Sequence, residues 1–397
     1  MAATGVKAII VKNPTQYYLD PASDIVFIYF KSMKTNLCSR KTLLKIVFGA
    51  FLSISIAAPA AAAPAGLPPI PEPLNVPQPG PTNGAPYAPQ PILPGGIVLP
   101  LYAPDSSYLN QNRIREAEIY SMTHGVPGRI EYIVNIHNPS IEMHACEPWN
   151  NTGATIILAA GGGHQTLNVG PEASTPTAFF NNYGINSVIL RNRLRRDGYN
   201  AQTDEVNDAL QAIRLVRAHA KDWHLDPNKI GIMGFSAGAE LAAAAGLKYV
   251  EFDARNHEPG DPLAGITSRP DFVGLVYPGP TPFSHDTNGS TVIPKDMPPS
   301  FITCAGSGDK VHAAWADVYF AAMLQQGVPN LEMHIYGKGG HGGGFSDRGN
   351  SPFGTWQFRF IDWFRDLGFL NKPGVETQAA KDIETYAAKS SGSEGRR

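Results

Sequence analysis

Short apolar runs at residues 155–160, 187–191, 229–233, 272–277, 300–305 and 331–336 are separated by stretches whose apolar positions repeat at helical spacing. Runs of that length without alternation suit strands buried on both faces of a sheet. The clearest helix is 203–223, where Val206, Ala209, Leu210, Ile213, Val216 and Ala220 share a face and Asp226-Pro227 supplies the stop. Residues 313–326 and 354–367 read as two more, the second with an aromatic core face of Trp356, Phe360, Trp363 and Phe364. Upstream, 129–136 and 141–145 read as an antiparallel strand pair at the sheet edge, joined by a turn at 137–140. The alternation predicts an α/β fold: a doubly wound, mostly parallel sheet flanked by helices. No insertion is long enough for a large cap domain. The irregular pieces 251–270 and 278–299 are modest lids, and an open site is expected.

The ends look different. In the extension 1–63, basic residues after Met33 precede an apolar run at 46–56 and the alanine-rich stretch 57–65, the order of a secretory signal peptide. Cleavage after Ala61 or Ala63 and a true start at Met33 are expected, with the mature protein secreted or periplasmic. The apolar run is short for a membrane anchor. Residues 64–112 are crowded with proline and read as an extended linker. The catalytic unit is expected over 113–370, and 371–397 as a polar tail that frays. The net charge of −2 gives no case for nucleic acid or an anionic membrane surface. Of the three cysteines, Cys38 lies in the signal region, whereas Cys146 and Cys304 are either free or paired. His137 and His144 have no neighbouring ligand set and read as solvated strand residues.

Chemistry centres on Gly234-Phe235-Ser236-Ala237-Gly238, between a strand at 229–233 and an alanine-rich helix at 239–245. A serine on so sharp a turn is a nucleophile elbow, and side chains at 234 and 238 would collide, so both positions require glycine. Serine needs a base and the base an orienting carboxylate. Asp309 follows the strand 300–305 and His341 lies in a glycine-rich loop after 331–336, which gives the chain order Ser, Asp, His. Asp286 is the reserve acid. The run Gly161-Gly162-Gly163 after the strand at 155–160 suits an oxyanion hole, with the amides of Gly162, Gly163 and Ala237 as donors. It lacks the lysine and serine of a phosphate loop. His164 either touches substrate or holds a neighbour by hydrogen bonding, the second being favoured.

Residues 154–370 resemble the exported carbohydrate-esterase branch of the α/β-hydrolases, the acetylxylan esterase and feruloyl esterase-like proteins related to dienelactone hydrolase. The stretches that carry the resemblance are the glycines 161–163, AIRLVR at 212–217, DPNKI at 226–230, GFSAG at 234–238 and SRPDF at 268–272. KGGHG at 338–342 and WFRDLG at 363–368 add to it. Three positions depart from the pattern: Ala160 where proline or histidine is usual, Glu240 in place of glycine or histidine after the elbow, and His312 where proline commonly follows the acid loop. The resemblance implies a serine esterase that removes small acyl groups, above all acetyl, from polysaccharide or oligosaccharide esters, with no metal or organic cofactor. A broad carboxylesterase or lipase-like hydrolase is the first alternative. A prolyl-peptidase-like enzyme and a noncatalytic binding module of the same fold follow it.

Overall fold

The computed structural model describes residues 86–256, 261–342, 345 and 351–394, the last five as backbone. The expected signal region and the first part of the proline-rich stretch lie outside the described residues. Among those residues, one sheet runs β1 (Ile97–Pro100), β4 (Ser140–His144), β6 (Asn186–Arg191), β5 (Thr155–Ala159), β7 (Ile230–Phe235), β8 (Val273–Val276), β9 (Ser300–Ala305) and β10 (Glu332–Tyr336). From β6 to β10 all neighbours are parallel, whereas β4 is antiparallel to both β6 and β1. Strands β5 to β9 are buried along their whole length, the burial that their unbroken apolar runs imply.

The helices are α1 (Thr175–Asn182), α2 (Asp204–Ala218), α3 (Ala237–Arg255), α4 (Lys310–Gln325), α5 (Trp356–Asp366) and α6 (Gln378–Glu394). Helix α3 packs on β7, β8 and α2. The aromatic face of α5 is core, as its spacing predicts: Trp356, Phe360, Trp363 and Phe364 are buried and pack against Phe272 and Phe301. Phe180 of α1 joins Phe360 of α5. No helix among the described residues is long and apolar enough to cross a membrane.

Three sequence expectations are corrected. The stretch 129–136 does not pair with 141–145. Strand β3 (Ile130–Val134) instead pairs with β2 (Ile119–Met122) in a separate two-stranded sheet, and β4 joins the main one. Alternation identified these strands but carries no information about their partners. The proline-rich stretch is not linker up to 112, because β1 lies within it and Ile92, Leu101, Tyr102 and Leu109 are buried. Proline is tolerated at a sheet edge. The carboxylate of buried Glu142 on β4 accepts the Ile92 and Leu93 amides at 2.6 and 2.9 Å and pairs with buried Arg191 at 2.9 Å, which fastens this segment. At the other end the tail forms α6, with Ala379 and Ile383 buried. Lys229 Nζ donates to the carbonyls of Asn371 and Lys372, and the Gly374 amide donates to Asp226. Cys146 and Cys304 are free, both buried, and burial pushes each thiol up to about 12.

Candidate active site

Ser236 stands between β7 and α3 with φ 53° and ψ −119°, a backbone conformation that non-glycine residues rarely adopt. The reason for its flanking glycines is visible in the geometry. A Cβ at 234 would lie 2.0 Å from the Gly238 carbonyl oxygen, and one at 238 would lie 2.0 Å from that of Ala159. The strain is held by neighbours: the Ser236 amide donates to Val276 O, and its carbonyl accepts from Ala239 and Gly279.

The loops after β9 and β10 bring the other two groups to this corner. His341 Nε2 lies 2.9 Å from Ser236 Oγ, and His341 Nδ1 lies 2.9 Å from Asp309 Oδ2. Ser236 and His341 reach solvent, while Asp309 is 7% exposed. The two loops touch closely. A Cβ at 308 would sit 1.8 Å from Gly339 O, and Ser307 Oγ bonds Gly337 O. The close approach of the two loops therefore requires glycine at 308 and 339, whereas a Cβ at 337, 340 or 342 would meet nothing.

A second histidine, His312, noted in the sequence only as a departure from the family pattern, shares the acid. His312 Nδ1 is 2.5 Å from Asp309 Oδ1, and its ring stacks on that of His341 with centroids 3.7 Å apart. Burial, the largest effect, and the neighbouring His341 hold His312 below its ordinary value, against the upward pull of Asp309 and Glu240. The available signal was its place three residues after Asp309, in the first turn of α4. Ligand atoms of Asp309, His312 and His341 lie within 4.8 Å of one another, close enough to hold one cation. Such an ion would displace both imidazole protons from the carboxylate, and with them the bond that orients His341.

The glycine run adopts the conformations an anion cradle needs, with φ +127° at Gly162 and +62° at Gly163. The Gly161 amide is taken by Glu172 Oε2 at 2.7 Å. No acceptor among the described residues takes the amides of Gly162, Gly163 or Ala237, and the last opens α3. Buried Glu172, a residue that sequence inspection passed over, also accepts from Tyr277 Oη at 2.8 Å.

His164 is 6% exposed and bridges two carboxylates, with Nδ1 2.8 Å from Glu205 Oε2 and Nε2 3.2 Å from Glu240 Oε2. Burial alone would depress its pKa, yet the hydrogen bonds to Glu205 and Glu240 outweigh it and raise the group to about 9. A raised folded-state value stabilises the fold fully below the ordinary value near 6.5, and the contribution is lost as pH rises through about 9. The melting temperature is accordingly expected to fall between neutral pH and pH of about 10. In His164→Gln it should start lower and fall less over the same range, as thermal melts at several pH values would show.

The remaining candidates lie elsewhere. Asp286 bonds within its own turn rather than to Ser236 or His341. The Thr291 hydroxyl, followed by the Ser290 and Thr291 amides that its carboxylate accepts, holds it well below the usual carboxylate range, and these amide bonds close the 286–291 turn. His137 is buried rather than solvated, bonded to Tyr199 and Asn135, and His144 bonds Glu142.

Residues 149–262 match the family model described as BD-FAE. The chain is 27% identical over 231 residues to an acetylxylan esterase of Xylanibacter ruminicola, a stretch that is 56% of this chain and 46% of that protein. It is 25% identical over 178 residues to endo-1,4-beta-xylanase B of Butyrivibrio fibrisolvens, covering 44% of this chain and 25% of that one. The match thus spans less than half of either relative. Among solved structures, an acetyl ester-xyloside bifunctional hydrolase from Caldicellulosiruptor lactoaceticus superposes with a TM-score of 0.54 at 25% identity, over 70% of this chain and 99% of that one. Esterase Est2 of Thermogutta terrifontis with propionate bound gives 0.52 at 20% identity, over 72% and 98%. The chain has the α/β-hydrolase fold, and in sequence it is similar to the acetylxylan esterases of that fold.

Proposed function

We propose that the protein is a serine ester hydrolase that removes small acyl groups, above all acetyl, from polysaccharide or oligosaccharide esters. The observation that carries the reading is the hydrogen-bonded series from Ser236 Oγ through His341 to Asp309, set beside backbone amides that have no acceptor among the described residues. In this reading Ser236 attacks the ester carbonyl while His341 Nε2 takes its proton. The oxyanion accepts from the amides of Gly162, Gly163 and Ala237. Collapse expels the alcohol, protonated by His341, and leaves acetyl on Ser236. Water activated by His341 then releases acetate. Asp309 accepts the Nδ1 proton throughout, which keeps Nε2 free to act as base and stabilises the imidazolium.

The choice of substrate rests on the similarity to the acetylxylan esterase. Hydrolysis of p-nitrophenyl acetate, butyrate and decanoate, with acetate release from acetylated xylan in parallel, tests it. The expected result is a preference for acetate together with xylan deacetylation. Preference for the decanoate and no acetate from xylan would instead favour a broad carboxylesterase.

A further inference from the structure

A cleft of about 950 Å3, near the upper end of small-molecule sites, opens beside the elbow. One wall is the loop 195–202, another the loop 280–291, and its floor is the face of α3 that carries Glu240 and Lys248. Its lining is joined to the backbone of the serine in two ways. Glu240 lies one helical turn after Ser236, and Gly279, which starts the 280–291 wall, donates its amide to Ser236 O. The position of Gly279 requires glycine because a Cβ there would fall 2.0 Å from Glu240 Oε1.

Glu240 and Glu205 flank the same imidazole but differ in what else they do. Glu205 is 1% exposed and fully engaged: besides His164 it accepts the Arg195 amide and Asn192 Nδ2. The Glu240 side chain is 24% exposed, is bonded by His164 on one oxygen, and lines the cleft. An ionised carboxylate accepts only, and its strongest neutral partners are hydroxyls. A hydrocarbon chain in the cleft would strip water from Glu240 and return nothing, which is costly for a charged group. A polyol would replace that water hydroxyl for hydroxyl. Tyr199, Asn200, Gln202 and Asn288 add further polar edges along the walls.

We propose that this cleft binds the alcohol portion of the ester, that it takes a neutral polyhydroxylated group such as a short run of glycosyl units, and that Glu240 receives the sugar hydroxyls nearest the ester. His164 is a positioning residue for Glu240, held in turn by Glu205. The proposal rests on the esterase reading for where the ester sits, and its test separates the two.

The discriminating quantity is the ratio of kcat/KM for acetylated xylotetraose to kcat/KM for p-nitrophenyl acetate, which has no sugar. Glu240→Ala is expected to lower this ratio by about tenfold or more, mainly through KM, the loss of a hydrogen bond to a charged group. Glu240→Gln keeps an acceptor and should lose about threefold. Asn288→Ala, on an exposed turn remote from the core, should lose about threefold in the same sense and guards against a folding artefact. An unchanged ratio, or an equal loss on both substrates, overturns the proposal. If the wild-type protein hydrolyses neither ester, the esterase reading has failed, and calorimetry with xylotetraose decides the cleft alone. Binding that Glu240→Ala weakens by about tenfold supports it. Absence of binding, or binding that the substitution leaves alone, overturns it.

Discussion

Ser236→Ala is expected to lower kcat for p-nitrophenyl acetate by on the order of 10^6-fold while leaving the fold intact. Alanine at 236 carries the same Cβ in the same strained conformation, and the backbone bonds to Val276, Ala239 and Gly279 do not involve the hydroxyl. Only the 2.9 Å contact to His341 is lost. The residual rate should still exceed that in water by about 10^3-fold, because the free amides and the bound geometry survive. Adding His341→Ala to Ser236→Ala should cost almost nothing more, since a base without its nucleophile has no task. Steady-state kinetics on both variants, with a circular-dichroism melt for each, checks this. A single substitution that keeps more than a few per cent of activity would remove Ser236 from the mechanism.

Asp309→Ala is expected to cost on the order of 10^4-fold in kcat with little change in KM. The carboxylate has two partners, His341 on Oδ2 and His312 on Oδ1. Without it both Nδ1 protons lose their acceptor, and His341 is free to adopt the tautomer that cannot take the serine proton. The second partner gives Asp309→Asn a distinct outcome. An amide can turn its oxygen to His341 and its NH2 to His312 if His312 moves its own proton to Nε2, so this variant should retain more activity than Asp309→Ala. Comparing the two at one pH measures how far His312 absorbs the change. Equal losses would show that His312 does not adjust.

What was legible in the sequence follows from which forces act locally. The elbow could be read because Gly234 answers a steric demand from Gly238, four residues on, within a recognisable pentapeptide. Strands β5 to β9 could be read because burial on both faces leaves an unbroken apolar run. The helix after the elbow was read too short, at 239–245 rather than Ala237–Arg255, because its later turns carry exposed Glu251 and Arg255 on one side. Strand β1 was hidden by surrounding prolines, and its place depends on Glu142, a residue about fifty positions away. Glu205 was missed for the same reason. Glu205 joins His164 through the packing of separate elements and sits in no motif. Glu240 and His312 were visible only as departures from a family pattern.

Glu172 lies beneath the site, with one oxygen on the Gly161 amide after β5 and the other on the Tyr277 hydroxyl after β8. Strand β7, which presents Ser236, runs between those two strands. The carboxylate is a tie across the strand that bears the nucleophile, and it joins loops that would otherwise move independently. A change at Glu172 would therefore be felt on both sides of Ser236 at once.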